Sequence, residues 1–176
     1  MKTFDYWYPN FTVIFDLMPT DTNEGEDANK WRNILHISSE NNSVKYGSRI
    51  PAVFFKPQTT KLIICSAIND NANRCYFGTD NVPINTWSRI RISQYRVQSE
   101  VPLESVYKFV VLVNGEELFA ELNEAGSTFS DAMLYTSNPF NPAAAVQIRN
   151  LEVSTTRKYS ILNHFFVNHT KTIIKL

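Results

Sequence analysis

The sequence predicts an all-β chain folded as a two-sheet antiparallel jelly-roll sandwich, and three observations predict it. Apolar and polar residues alternate with a period of two along most hydrophobic runs. No stretch carries a long 3.6-residue period. The short runs recur between Gly, Pro and Asn clusters, which is the punctuation of stacked sheets rather than of alternating strands and helices.

Taken in order, FTVIFDL (11–17) sets Phe11, Val13, Phe15 and Leu17 against Thr12, Ile14 and Asp16. NILHIS (33–38), PAVFFK (51–56), KLIICSAI (61–68) and RCYFGT (74–79) follow as strand candidates, and WSRIRISQYRV (87–97) sets Ile90 and Ile92 against Arg89 and Arg91. In YKFVVLVNGEELFAEL, Asn114-Gly115 is the dipeptide of a two-residue type I′ turn, in which both positions need positive φ. That turn predicts Val113 opposite Glu116, Val111 opposite Leu118, Phe109 opposite Ala120 and Tyr107 opposite Leu122, an almost wholly apolar face. On the other face Lys108 should meet Glu121, Val110 Phe119 and Leu112 Glu117. Residues 123–131 are turn-rich with room for one short helix, and AVQIRNLEV (145–153) and TIIKL (172–176) complete the strand set. The tail after Val153 exceeds what the sandwich needs. We therefore divide the chain into a domain at 1–154 and a β-prone extension at 155–176, whose HFFV and TIIKL runs need covering by the domain or by a partner subunit.

The two cysteines, Cys65 and Cys75, flank the polar run Ser66 to Arg74, whose Asn and Asp residues suit a turn. In a hairpin symmetric about Asp70 they lie directly opposite, near the distance a disulfide requires. Zinc would want more ligands, and a redox pair the C-x-x-C spacing. A disulfide is expected, with two buried free thiols in a reducing cell as the alternative. An oxidised pair implies an extracellular or luminal protein, a setting that the sequons at Asn10, Asn41 and Asn168 fit.

At 176 residues, the chain can bury a full core without a metal or disulfide. Its 17 basic and 17 acidic side chains cancel, which argues against a dedicated nucleic-acid binder and against a general pull toward anionic membranes. No run approaches a membrane span, and MKTFDYWYPNF has no apolar segment of the signal-peptide kind, so a secreted form would be mature or trimmed.

The order WRNILHIS, GSRIPAVFF, KLIICSAI, PINTWSRIRISQ, YKFVVLVNGEELF and MLYTSNPFNPAAAVQIRNLEV resembles the concanavalin A-like lectin/glucanase superfamily. Within it, the chain is similar to the LamG-like jelly-roll modules of extracellular animal proteins, over about Phe11 to Val153. The resemblance implies two antiparallel sheets face to face, with the last strand returning beside the first. It does not bring an activity. The E-x-D-x-x-E carboxylates of family glucanases are missing, and Glu24, Glu26 and Asp27 read as a solvated loop. The galectin-type H-x-N-x-R and W-x-x-E-x-R patterns are missing too: His36 stands in HISSEN and SRIRI follows Trp87. Relatives often hold Ca²⁺ in edge loops, and the NDNAN run (69–73) with Asp80-Asn81 offers hard oxygen ligands, though plain turn chemistry uses the same residues. His164 and His169 would face opposite ways on one strand, and His36 is expected to be packed or at the surface rather than a ligand.

Two features suit ligands. Arg89 and Arg91 share a strand face with Tyr95, with Arg49, Arg74 or Arg149 as neighbours, a patch for sulfated glycans or acidic partners. Tyr6, Trp7 and Tyr8 offer aromatic planes for sugar rings or apolar surfaces, as do Phe54-Phe55 and Phe165-Phe166. The expected protein is a secreted, non-catalytic binding or assembly module for carbohydrate or matrix, self-associating through its hydrophobic tail. The alternatives are an oligomeric carrier of an apolar small molecule such as a pigment, and a structural subunit with no small ligand.

Overall fold

In the computed structural model, residues 1–22, 29–40, 45–97, 105–138 and 140–157 are described. The expected strand TIIKL, HFFV, His164 and His169, the sequons at Asn41 and Asn168, and the acidic loop at Glu24, Glu26 and Asp27 lie outside the described residues.

Among the described residues, eleven strands run in order: β1 (Lys2–Trp7), β2 (Asn10–Pro19), β3 (Arg32–Ser38), β4 (Ala52–Phe55), β5 (Lys61–Ile68), β6 (Asn71–Asn81), β7 (Ser88–Arg96), β8 (Tyr107–Val113), β9 (Glu116–Asn123), β10 (Phe129–Tyr135) and β11 (Val146–Thr156). They form a six-stranded sheet, β1-β10-β3-β4-β5-β6, and a five-stranded sheet, β11-β2-β7-β8-β9. Every strand pair is antiparallel. This is the expected jelly-roll sandwich, and β11 returns beside β2. Residues 123–131 hold no helix; they pass from the end of β9 through a turn into β10. β11 continues through Thr155 and Thr156, past the boundary expected at 154.

The core lies between the sheets. Phe11, Val13, Phe15 and Leu17 of β2 meet Leu35, Ile37, Val53, Phe55 and Ile64 of the other layer, all buried. Alternation on a pleated strand dictates this, because one face of β2 must leave water while the other stays solvated. The same rule fails at β1, where Phe4 and Trp7 are buried at a spacing of three.

The β8–β9 hairpin corrects one expectation. Asn114 and Gly115 take positive φ, and Val113 and Leu112 face Glu116 and Glu117 as the turn requires. A bulge at Leu118 then shifts the register, so that Phe119 stands opposite Val111, Ala120 opposite Val110, Glu121 opposite Phe109, Leu122 opposite Lys108 and Asn123 opposite Tyr107. The shift brings the Phe119 ring against Phe109 at 6.2 Å and Tyr76 at 5.8 Å and leaves Leu118 and Leu122 exposed. Lys108 pairs with Glu117 at 3.3 Å instead of with Glu121.

The cysteines pair as expected: Cys65 is opposite Cys75 across β5 and β6, the two are disulfide-bonded, and their Cα atoms are 4.0 Å apart. The turn between them is made by Asn69 and Asp70, both at positive φ. It docks on the facing sheet through Asn69 Nδ2, which donates to the Leu122 carbonyl at 2.8 Å, and through Arg74, 2.6 Å from Glu121. One flank of the sandwich is thereby tied across. At the opposite flank, β1 and β11 are both edge strands, and the Tyr8 amide donates to Thr155 Oγ1 at 2.7 Å.

Candidate functional site

The outer face of the five-stranded sheet is charged. Strand alternation puts Ile90 and Ile92 of β7 in the core and turns Arg89, Arg91 and Tyr95 outward. Asp16 of β2 is the register partner of both Arg89 and Arg149, so three neighbouring strands place a carboxylate between two guanidiniums. A bulge in β11 follows Arg149, and Asn150 sits there at φ 53°, a left-handed conformation that Asn tolerates. The irregularity lets two consecutive side chains reach one carboxylate. Arg89 Nη1 donates to Asp16 Oδ1 at 2.9 Å, and Asn150 Nδ2 and Arg149 Nε donate to Oδ2 at 2.7 and 3.4 Å. Burial raises the Asp16 carboxyl, but the bonds from Asn150 and Arg89, the charge of Arg89 and the bond from Arg149 outweigh it and hold the group below its ordinary 3.8. The Arg149 guanidinium lies 3.9 Å over the ring of Trp87. Beside it, Arg91 Nε donates to Ser93 Oγ at 3.1 Å.

Of the expected neighbours, only Arg149 belongs to this patch. Arg49 and Arg74 belong to the other sheet's side, because β6 and the segment before β4 lie in that layer; Arg49 donates to Asn73 and covers Phe54. Asp16, Trp87 and Asn150 are the members that sequence reasoning missed. The alternation of β2 turned Asp16 outward but could not say which strand lay beside it.

The aromatic triplet is split. Tyr6 and Tyr8 stack with ring centroids 6.0 Å apart at the open flank, where they line a cleft of about 350 Å³ with Lys2, Thr3, Asp5 and Thr155. Trp7 turns the other way, 1% exposed, and packs on Phe4 and Phe11 at 5.3 and 5.1 Å, so it presents no ring to a surface ligand. Tyr95 is exposed on the arginine face, on a different part of the molecule from the tyrosine pair. Asn10 opens β2 half-buried, its Oδ1 accepting from the Arg96 amide at 2.9 Å.

The calcium ligands do not come together. The Asn69-Asp70 turn and Asp80-Asn81 stand at opposite ends of the 11-residue β6, about 30 Å apart at strand rise, too far for one ion. Their side chains also serve the fold: Asn81 Oδ1 accepts from the Thr60 amide, and Asn69 Oδ1 from the Glu124 amide. His36 is packed away from solvent. Its Nε2 lies 2.7 Å from the Ser48 carbonyl, which fixes the proton there, and its Nδ1 accepts from Asn138 Nδ2 at 2.5 Å. Burial pushes the imidazole down to about 4, the Ser48 bond opposing and the Arg49 charge assisting.

No family model matches the sequence, and neither does any curated protein. Among solved structures, the chain is similar to a native heptameric SAP-like pentraxin from Limulus polyphemus at a TM-score of 0.54 and 12% identity, over 87% of this chain and 66% of that one. It is also similar to the carbohydrate-binding module CBM66 from Bacillus subtilis at 0.47 and 9% identity, over 84% and 76%. At such identities the pentraxin likeness bears on the fold alone, a concanavalin-like jelly-roll sandwich.

Proposed function

We propose that the chain is an extracellular, non-catalytic LamG-like module that binds carbohydrate, free or as part of a matrix. The observation that carries this reading is the stacked Tyr6–Tyr8 pair in its cleft. Sugar rings stack their apolar faces on aromatic planes, and hydroxyls need donors and acceptors close by. Lys2, Asp5, Thr3 and Thr155 supply both kinds around the tyrosines. The disulfide supports the extracellular setting, since such bonds persist in oxidising compartments. The pentraxin-like sandwich is consistent with a binding role. Self-association has its own support in the bulged β9, which leaves Leu118 and Leu122 exposed on an edge strand.

A glycan array of the purified chain, run with and without chelator, tests the reading. Binding is expected, unchanged by chelator, and about tenfold weaker in Tyr6→Ala and Tyr8→Ala, the scale of one lost stacking contact. Silence across the array would leave the structural-subunit reading ahead. Visible absorbance in protein purified from its natural source would favour the pigment carrier.

A further inference from the structure

The Asp16 network is more than a surface ion pair. Asp16 is largely buried, its side chain 12% exposed, whereas those of Arg89 and Arg149 stay 50% and 51% exposed. A guanidinium has five donors in a rigid fork, and Asp16 takes one from each arginine. Trp87 covers one face of Arg149 and fixes the plane in which its remaining donors lie. Arg91 adds a third cation two residues along β7. Against these three stand Asp16 and the outward-facing Glu152, while Glu117, across Leu112 from Arg91, is paired with Lys108, so a chain of zero net charge carries a local positive excess here. Two guanidiniums with free edges, held by one carboxylate beneath them, are arranged to take the oxygens of a second anion from above.

We propose that this face binds a sugar-borne oxyanion, a sulfate ester or uronate carboxylate, with Arg89, Arg149 and Arg91 as donors and Asp16 and Trp87 as positioning residues. The identity of the carrier as a sugar rests on the carbohydrate reading; the anion site does not depend on the tyrosine cleft. Thr155, which lines that cleft, stands opposite the core-facing Phe11, whereas Arg149 stands opposite the outward Asp16, so the bulge in β11 puts the two side chains on opposite faces of the strand and keeps the anion site separate from the cleft.

The test is a titration of the full chain with dextran sulfate, hyaluronan and neutral dextran at low and moderate salt, read by tryptophan emission, with Trp87→Phe identifying the reporter. Dextran sulfate is expected to bind and neutral dextran not, with affinity falling as salt rises. Binding of hyaluronan as well extends the site to carboxylates; its absence narrows the site to sulfate esters. Arg89→Gln and Arg149→Gln should each weaken binding about tenfold, the scale of one charge-assisted bond, and the fully outward Arg91→Gln about threefold. Asp16→Asn separates an organised site from a diffuse basic surface. It adds positive charge, so a diffuse surface would bind tighter, whereas loss of the shared anchor should weaken binding about fivefold. Tighter binding by Asp16→Asn, equal binding of neutral dextran, or no binding at all overturns the proposal. Tyr6→Ala keeps the two readings apart: it should leave the dextran sulfate titration unchanged whether or not it abolishes array binding.

Discussion

The two outer faces of the sandwich solve opposite problems. On the six-stranded sheet the outward residues Ala52, Phe54, Ile63 and Cys65 are as apolar as the core and just as buried. They are sealed by the chain itself: Trp31 packs on Phe54 at 5.5 Å, the Arg49 guanidinium lies 5.9 Å from the same ring, and His36 meets its edge at 6.1 Å. The stretch after β10 is hung on β3 through Asn33 and His36, each of which bonds Asn138, and through the Asn33 amide, which donates to the Pro142 carbonyl at 2.8 Å. On the five-stranded sheet Arg89 and Arg149 stay half-exposed, with Trp87 over one face of Arg149, and the order comes from ion pairing across strands. A face closed by its own chain contributes stability, and a face kept open and pre-ordered is available for recognition.

Substitutions should divide along the same line. The largest effect is expected on the sealed face: Phe54→Ala removes a fully buried ring and should cost about 3 to 5 kcal/mol in denaturant unfolding. A cost below about 1 kcal/mol would mean that the outer cluster is not a second core. Next comes acid. Unfolded His36 takes a proton near 6.5, whereas the folded ring stays neutral down to about 4. Stability should therefore be fully present above pH 6.5, fall by about 3 kcal/mol as pH drops to 4, and level off below. His36→Gln should flatten that window in a stability-against-pH series. Asp16 acts lower down: with its folded pKa depressed, its contribution is lost only as pH falls below 3.8. The disulfide closes a loop of sequence separation 10, for which chain entropy gives about 2.7 kcal/mol, and the Cys65→Ala, Cys75→Ala double variant should lose that much. Smallest of all, Arg91→Gln on the open face should change the unfolding free energy by less than about 0.5 kcal/mol, since exposed polar substitutions rarely do more.

Much of the sealed architecture was legible in the sequence, and much of the open site was not. Hydrophobic runs and their period are local signals, so β2, β7 and the strands β3, β4, β5 and β6 of the six-stranded sheet could be read directly, whereas β1 and β10 of that sheet were not among the expected strands. The Cys65–Cys75 pairing was expected from a hairpin symmetric about Asp70, and the structure reaches it through the Asn69–Asp70 turn together with a bulge between Ser66 and Ile68. What failed were features decided by partners distant in sequence. The bulge at Leu118 follows from Phe119 having Phe109 and Tyr76 to pack on, and from Glu121 having Arg74 within reach. Neither contact is visible from the Asn114-Gly115 turn, which alone predicts an unbroken register. Trp7 looked like surface aromatic chemistry because β1 buries Phe4 and Trp7 without alternating. The Arg89–Asp16–Arg149 triad needs strand order, since its members come from β7, β2 and β11 and only the sheet makes them neighbours. Arg89, Arg91 and Arg149 were named from the sequence, but the carboxylate that organises two of them was not.

The cross-tied flank also has a mechanical meaning. β1 and β11 share the flank opposite the Cys65–Cys75 bridge and the Arg74–Glu121 pair. Tension applied through those two strands loads hydrogen-bonded edges that can unzip, while the covalently bridged hairpin bears none of it until the near side has parted. A module tethered in this way would yield at one seam and re-close from an intact half.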